Sequence, residues 1–295
     1  MHLASATQFR PSHTEQALEL KNGDEHTMAT LLRAGILLVL GSLAGAPVAA
    51  AEPIACTLIV DLRSATELVR DGECDTRVPP FSSFKLPLAV IGFDTGVLID
   101  AHTPRWDWTA DLTAPKRDQK SVDPTEWERD SVLWYSRKLV KTIGGAIFAG
   151  LVEKLGYGNM DVSGVPGKDN GMTHAWIGAS LEVSPTEQIA FVRKMLLGTL
   201  PVSPAAQAQA ASILPQFPAA DGWVLTGKTG SGWLTDATGA YFRDRSLGWF
   251  VGWADKGERR VVFARLLVDN KARGGTLGPE IRESLVADLP RLLAQ

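Results

Sequence analysis

The sequence predicts an α/β protein of the α+β kind: an antiparallel β-sheet flanked by helices, with an all-helical region inserted in it. Three observations point there. Strand-like runs open and close the folded part of the chain, the later ones rich in Val, Trp and Phe, helical runs fill the middle, and the last segment is helical again. The 295 residues carry a net charge of -3 and are 45% hydrophobic, ordinary for a globular protein with a sizeable core. A charge this near zero does not suggest nucleic acid as a partner, so charge-driven recognition must be local.

The chain opens with 27 polar, patternless residues, which read as an upstream mis-start or a disordered lead, with Met28 as the initiator. Residues 28–51, "MATLLRAGILLVLGSLAGAPVAAA", read as a signal peptide. Arg33 gives the positive region, Ala34 to Leu43 the apolar one, and Ala49-Ala50-Ala51 a small-x-small cleavage site. A membrane anchor is the alternative, since Ala34 to Ala51 is uncharged. The Gly and Pro content and the A-x-A end favour removal, and "LAGA" lacks the cysteine of a lipid-anchored precursor. The expectation is a periplasmic protein, off the membrane once the signal is removed, with residues 52–295 as one domain. Monomer and homodimer both remain open.

The stretch "CTLIVDLRSATELVRDGEC", Cys56 to Cys74, reads strand, turn, strand. A hairpin pairing Arg63 with Glu67 sets Cys56 opposite Cys74. An exported protein meets an oxidising compartment, so these two cysteines are expected to form a disulfide. Two buried free thiols are the alternative. Next comes "PPFSSFKLPLAV", Pro79 to Val90, expected as a helix to about Gly92. Residues 100–125 show no regular period. "EWERDSVLWYSRKLVKTIGGAIFAGLVEKLG" reads as two helices broken near Gly144-Gly145, and "YGNMDVSGVPGKDNGM" as a loop. "SPTEQIAFVRKMLLG" is a helix opened by the capping box Ser184-Pro185-Thr186-Glu187 and closed at Gly198. "GWVLTGKTGSGW", "SLGWFVGWAD" and "ERRVVFARLLVD" read as strands, and "LGPEIRESLVADLPRLL" as the final helix.

Ser82 and Lys85 stand at i and i+3, a spacing that shares one helix face. A serine hydroxyl is a weak nucleophile until a base takes its proton. A lysine can be that base only when its amine is neutral, and desolvation favours the neutral form. The plainer reading is an N-cap serine and a snorkelling lysine. "GWVLTGKT", Gly222 to Thr229, also satisfies G-x-x-x-x-G-K-[ST], but its variable residues are themselves strand-like and Gly-Ser-Gly-Trp follows instead of a helix. The match to a phosphate loop is accidental. The same residues put Lys228-Thr229-Gly230 at a strand end, where a lysine and a threonine can face an anion; an exposed strand turn is the alternative. Ser131 alone reads as a helix N-cap. The five histidines show no metal-ligand spacing.

Taken in order, Ser82-x-x-Lys85, Ser131-x-Leu133, Tyr157-Gly158-Asn159 and Lys228-Thr229-Gly230 resemble the signature set of the serine β-lactamases and penicillin-binding proteins. The Tyr-Gly-Asn element and the form Ser-x-Phe-Lys-x-Pro are similar to those of class D, the oxacillinases. The resemblance runs from about Cys56 to the end of the chain. It implies a β-lactamase/penicillin-binding transpeptidase-like fold and a small-molecule β-lactam substrate. It also implies Ser82 as nucleophile and Lys85 as N6-carboxylysine, which needs CO2 or bicarbonate and no other cofactor. Trp176 would donate its indole N–H to the carbamate. Ser131 would pass a proton to the leaving nitrogen, assisted by Lys228. The N–H groups of Ser82 and Ser231 would form the oxyanion hole. Thr229 and Arg282 would hold the substrate carboxylate, with Arg273 a competitor for that role. Leu133 and Gly230 would line the substrate site.

Three positions depart from the family pattern. Phe81 stands where a small residue is usual, Leu133 where valine is, and Leu88 where asparagine is common. Leu133 is expected to alter deacylation or substrate range. A cell-wall transpeptidase or carboxypeptidase, and a sensor domain acylated without turnover, are the rival functions on the same scaffold.

Overall fold

The structure is a computed structural model and describes residues 52–273 and 275–294. The expectations for residues 1–27 and 28–51 lie outside the described residues. Among those described, no helix is long and apolar enough to cross a membrane.

Six strands form one antiparallel sheet: β1 (Ile54–Asp61), β2 (Glu67–Gly72), β3 (Gln216–Pro218), β4 (Val224–Thr235), β5 (Tyr241–Lys256) and β6 (Arg259–Val268), in the order β2-β1-β6-β5-β4-β3. The first strand thus pairs with the last, as strands from both ends of the chain require. The middle of the chain supplies α1 (Lys85–Asp94), α2 (Pro124–Asp130), α3 (Leu133–Ile143), α4 (Gly145–Leu155), α5 (Gly171–His174), α6 (Pro185–Leu197) and α7 (Pro204–Ser212), and α8 (Leu277–Leu292) follows the sheet.

The sheet is buried on both faces, and the residues say why. β5 is buried from Ser246 to Ala254 without a break. Trp249, Val251 and Trp253 share one core with α1 and α6, while Phe250 and Ala254 share the other with Leu277, Ile281, Leu285 and Leu289 of α8. That is the period of two expected of a strand. α1 is buried from Lys85 to Phe93 and apolar on every face after Lys85, which suits a helix enclosed by its neighbours rather than one lying on a surface.

Several expectations are corrected. The disulfide Cys56–Cys74 is present, with the Cα atoms 5.1 Å apart, but the hairpin register is not the expected one. Cys56 lies opposite Gly72, Ile59 opposite Val69, and Val60 opposite Glu67 past a bulge. Asp61 tightens the turn by accepting from the N–H groups of Arg63 and Ser64. Beyond β2 the chain curls at Gly72, φ +85°, and Glu73 and Cys74 donate to Ala55 and Gly72, which returns Cys74 to Cys56. The segment 126–156 holds three helices, not two, because Ser131 ends α2 in the left-handed conformation (φ 60°, ψ 37°) instead of capping the next helix. The break at Gly144 is as expected, with φ 92°. The capping box at Ser184 and the Gly198 terminus are also as expected. Helix α7 and strand β3 had no counterpart in the sequence reading. α7 is rich in Ala and Gln, with no clear apolar stripe to mark it.

Candidate active site

The turn that carries Ser82 is a single 3-10 turn, Phe81–Phe84, and α1 begins only at Lys85. Two features of the sequence hold it. Phe81 takes a left-handed φ of 49°, which costs a non-glycine residue about 1–3 kcal/mol unless its surroundings fix it. They do: its N–H donates to the Trp176 carbonyl at 2.9 Å, and its ring lies against Gly232, where no side chain would fit. Ser83 locks the turn from within, its N–H and Oγ both donating to the Pro80 carbonyl at 3.1 and 2.8 Å.

Ser82 is half-buried and Lys85 is 1% exposed. Lys85 Nζ donates to Ser82 Oγ at 3.4 Å. Phe84 supplies apolar cover, stacking on Trp176 at 5.3 Å and meeting Phe148 and Tyr157 edge-on. Burial, then the nearby Lys228 charge, pulls the Lys85 amine down to about 7, while Glu128 and Asp118 oppose that shift. The neutral amine is therefore accessible near neutral pH.

A second pair faces the first. Lys228 lies on β4, 2% exposed, and its Nζ donates to Ser131 Oγ at 3.0 Å and to the Thr229 carbonyl at 3.1 Å. The left-handed backbone of Ser131 presents that hydroxyl. Burial, and then the Arg282 charge, lowers the Lys228 amine to about 8, opposed by Glu128. Two residues along β4, Gly230 lets the strand press on the turn that carries Ser82.

The Tyr-Gly-Asn element acts as a clamp. Tyr157 Oη donates to Gln188 Oε1 at 3.1 Å, and Gln188 Nε2 donates to Ser83 Oγ at 3.0 Å, so a buried chain runs from Tyr157 to the residue beside Ser82. Asn159 Nδ2 donates to the Ser180 carbonyl, and Asn159 Oδ1 accepts from the Glu182 N–H. These bonds close the loop that carries Trp176.

The structure thus gathers Ser82, Lys85, Ser131, Lys228, Gly230 and Trp176. Leu133 is half-buried at the first turn of α3, two residues from Ser131. Thr229 follows Lys228 on β4, and Ser231 Oγ accepts from the Gly278 N–H at the start of α8. Arg282 stands apart. Its guanidinium packs 4.8 Å from the Phe217 ring and pairs with Glu283 at 3.1 Å, and its charge reaches Lys228 without a bond to it. Arg273 pairs with Asp269 and Glu280. Phe81 and Leu88 are both buried, Leu88 in the interior of α1.

Sequence reasoning missed three residues. Ser83 and Gln188 carry no motif. Glu128 sits in "EWERD", which reads as solvent-facing charge, yet it is wholly buried and neither carboxyl oxygen has a hydrogen-bond partner. The one available clue was the unnoticed Asp123-Pro124-x-Glu126 capping box, which fixes the start of α2 and hence which face Glu128 occupies.

Residues 55–289 match the penicillin binding protein transpeptidase domain. Beta-lactamase OXA-9 of Klebsiella pneumoniae is 44% identical over 244 residues, covering 82% of this chain and 89% of that protein. Beta-lactamase OXA-1 of Escherichia coli is 30% identical over 238 residues, 79% of this chain and 80% of that one. Among solved structures, the OXA-427 class D β-lactamase matches with a TM-score of 0.74 at 38% identity, over 81% of this chain and 98% of that one. With its sheet, its paired Ser–Lys dyads and these relatives in agreement, the chain belongs to the class D, oxacillinase-type β-lactamases, hydrolases of cyclic amides on the transpeptidase fold.

Proposed function

We propose that the protein hydrolyses β-lactam antibiotics through a covalent acyl-enzyme on Ser82, with the general base at Lys85. The observation that carries this reading is a lysine 1% exposed with its Nζ 3.4 Å from the hydroxyl of a half-buried serine. The pocket also fits carboxylation of that lysine. Burial and the Lys228 charge bring its amine down to about 7, so a neutral fraction is present at neutral pH, which is what addition to CO2 needs. Bound as a carbamate, CO2 supplies an anionic base in place of an amine. Trp176 is the residue to hold it, through an indole group that can only donate.

Ser82 Oγ attacks the β-lactam carbonyl as its proton passes to the base at position 85. The backbone N–H groups of Ser82 and Ser231 stabilise the oxyanion, where the negative charge develops. Ser131 gives its proton to the leaving nitrogen, and the ammonium of Lys228, 3.0 Å away, supports that transfer. Water activated at position 85 then hydrolyses the ester. Thr229 and Arg282 are the candidates for the substrate carboxylate, and Arg282 must leave Phe217 and Glu283 to reach it. Leu133 lines the entrance that the water uses. The protein works in the periplasm after export.

Intact-mass measurement during turnover tests the reading. A transient adduct of substrate mass on the peptide containing Ser82, absent from Ser82→Ala, is expected. A stable stoichiometric adduct without turnover would instead indicate a transpeptidase or a sensor.

A further inference from the structure

Glu128 has no part in the chemistry above, yet its setting is unusual. The side chain is 0% exposed and both carboxyl oxygens are unpaired. It lies on α2, three residues before Ser131, which Lys228 bonds, and the charges of Lys85 and Lys228 both act on it. A buried carboxylate without hydrogen bonds is costly, so it needs either a counter-charge or a proton.

We propose that Glu128 is the proton partner of Lys85: its carboxylate balances the lysine in the CO2-free enzyme, and it must hold a proton while Lys85 carries a carbamate. The inference rests on the carbamate reading above. Two adjacent anions in one dry pocket repel strongly, as in carboxylate dyads that cannot both ionise. The step balances as follows. One proton moves from the Lys85 ammonium to the Glu128 carboxylate. The freed Nζ lone pair attacks the carbon of CO2, the N–C bond forms, and one C=O pair moves onto oxygen. A second Nζ proton leaves to solvent. The product is a carbamate beside a neutral carboxyl group, which can donate a hydrogen bond. Glu128 is a positioning residue by this account, since it acts through Lys85.

The groups that bear on the pair are few. Lys85 feels Lys228, Glu128, Asp118 and Arg137; Glu128 feels Lys228 and Lys85; Lys228 feels Glu128 and Arg282. Burial raises the Glu128 carboxyl well above the usual range, against the pull of the lysines, so it can be protonated near neutral pH. Rising pH ionises Glu128 and opposes the carbamate, even as it frees the amine.

Glu128→Gln mimics the neutral carboxyl at every pH. Carbamate is counted by 13C NMR with 13C-bicarbonate, in the parent and in Glu128→Gln, between about pH 6.5 and 8.5, with Lys85→Ala as control. The expected result is half-saturation of Glu128→Gln at about tenfold lower bicarbonate than the parent at pH 8, with a smaller difference at pH 6.5. An equal or higher requirement in Glu128→Gln, with a Lys85-dependent signal in the parent, overturns this inference and leaves the carbamate reading intact. No Lys85-dependent signal in either protein overturns both. Should Glu128→Gln not fold, the parent alone decides. Its bicarbonate-induced infrared difference spectrum must gain a protonated-carboxyl C=O stretch, and its absence overturns the proposal.

Discussion

A β-carbon on Gly230 would stand 2.6 Å from the Pro80 carbonyl oxygen and 3.2 Å from the Ser83 nitrogen, so β4 and the turn carrying Ser82 touch backbone to backbone. This contact sets the separation between the two halves of the site. Gly230→Ala is expected to push them apart, costing about 1–3 kcal/mol of stability and lowering kcat/KM about 100-fold through misplacement. Denaturant midpoints and nitrocefin kinetics read the two effects. Unchanged kinetics would mean the contact is incidental.

The Tyr157–Gln188–Ser83 chain makes a separate prediction. Tyr157→Phe removes one donor and leaves Gln188 Oε1 buried without it, at a cost of about 1–3 kcal/mol. Thermal unfolding should drop while substrate affinity holds, because Tyr157 lies behind the turn rather than in the site. A KM that rises with no loss of stability would contradict the clamp.

How far the sequence carried this picture follows from these residues. The dyads were legible only through the family's motifs in order, since Ser82-x-x-Lys85 alone also fits an N-cap serine with a snorkelling lysine and Ser131 and Lys228 lie 97 positions apart. The sheet was legible because its strands come from both ends of the folded chain. The clamp was not, since its partners lie 31 and 105 positions apart and an isolated Gln carries no pattern. The register of β1 and β2 differs from the expected one because pairing Arg63 with Glu67 allows for neither the bulge at Ile59 and Val60 nor the curl at Gly72. Ser131 was read as a cap because serine favours that position, while tertiary contact with Lys228 holds it in a conformation serine rarely adopts.

Lys228 is expected to act as a cation. Its amine is lowered to about 8 by burial, so it is charged below that pH and loses its proton as pH rises through it. At saturating bicarbonate, kcat should therefore fall on the alkaline side near pH 8. Lys228→Ala should lower kcat about 100-fold or more. Lys228→Arg, charged throughout, should lose the alkaline fall even if its peak rate is lower. An alkaline limb identical in parent and Lys228→Arg would assign it to another group.

Leu133, half-buried two residues from Ser131, carries one methylene more than a valine would. Leu133→Val is expected to change the rate of deacylation, shifting kcat between small and bulky β-lactams by about 10-fold. Kinetics on a penicillin, a cephalosporin and a carbapenem would show it. Identical values on all three would remove Leu133 from the specificity argument.

The most direct measurement is nitrocefin turnover by the mature protein, degassed and then supplied with bicarbonate. Below about pH 7 the Lys85 amine is protonated and cannot add CO2, so the account predicts slow turnover without bicarbonate, restored by adding it, with the deficit deepening as pH falls. Turnover that is independent of bicarbonate across this range would contradict a carboxylated base at position 85.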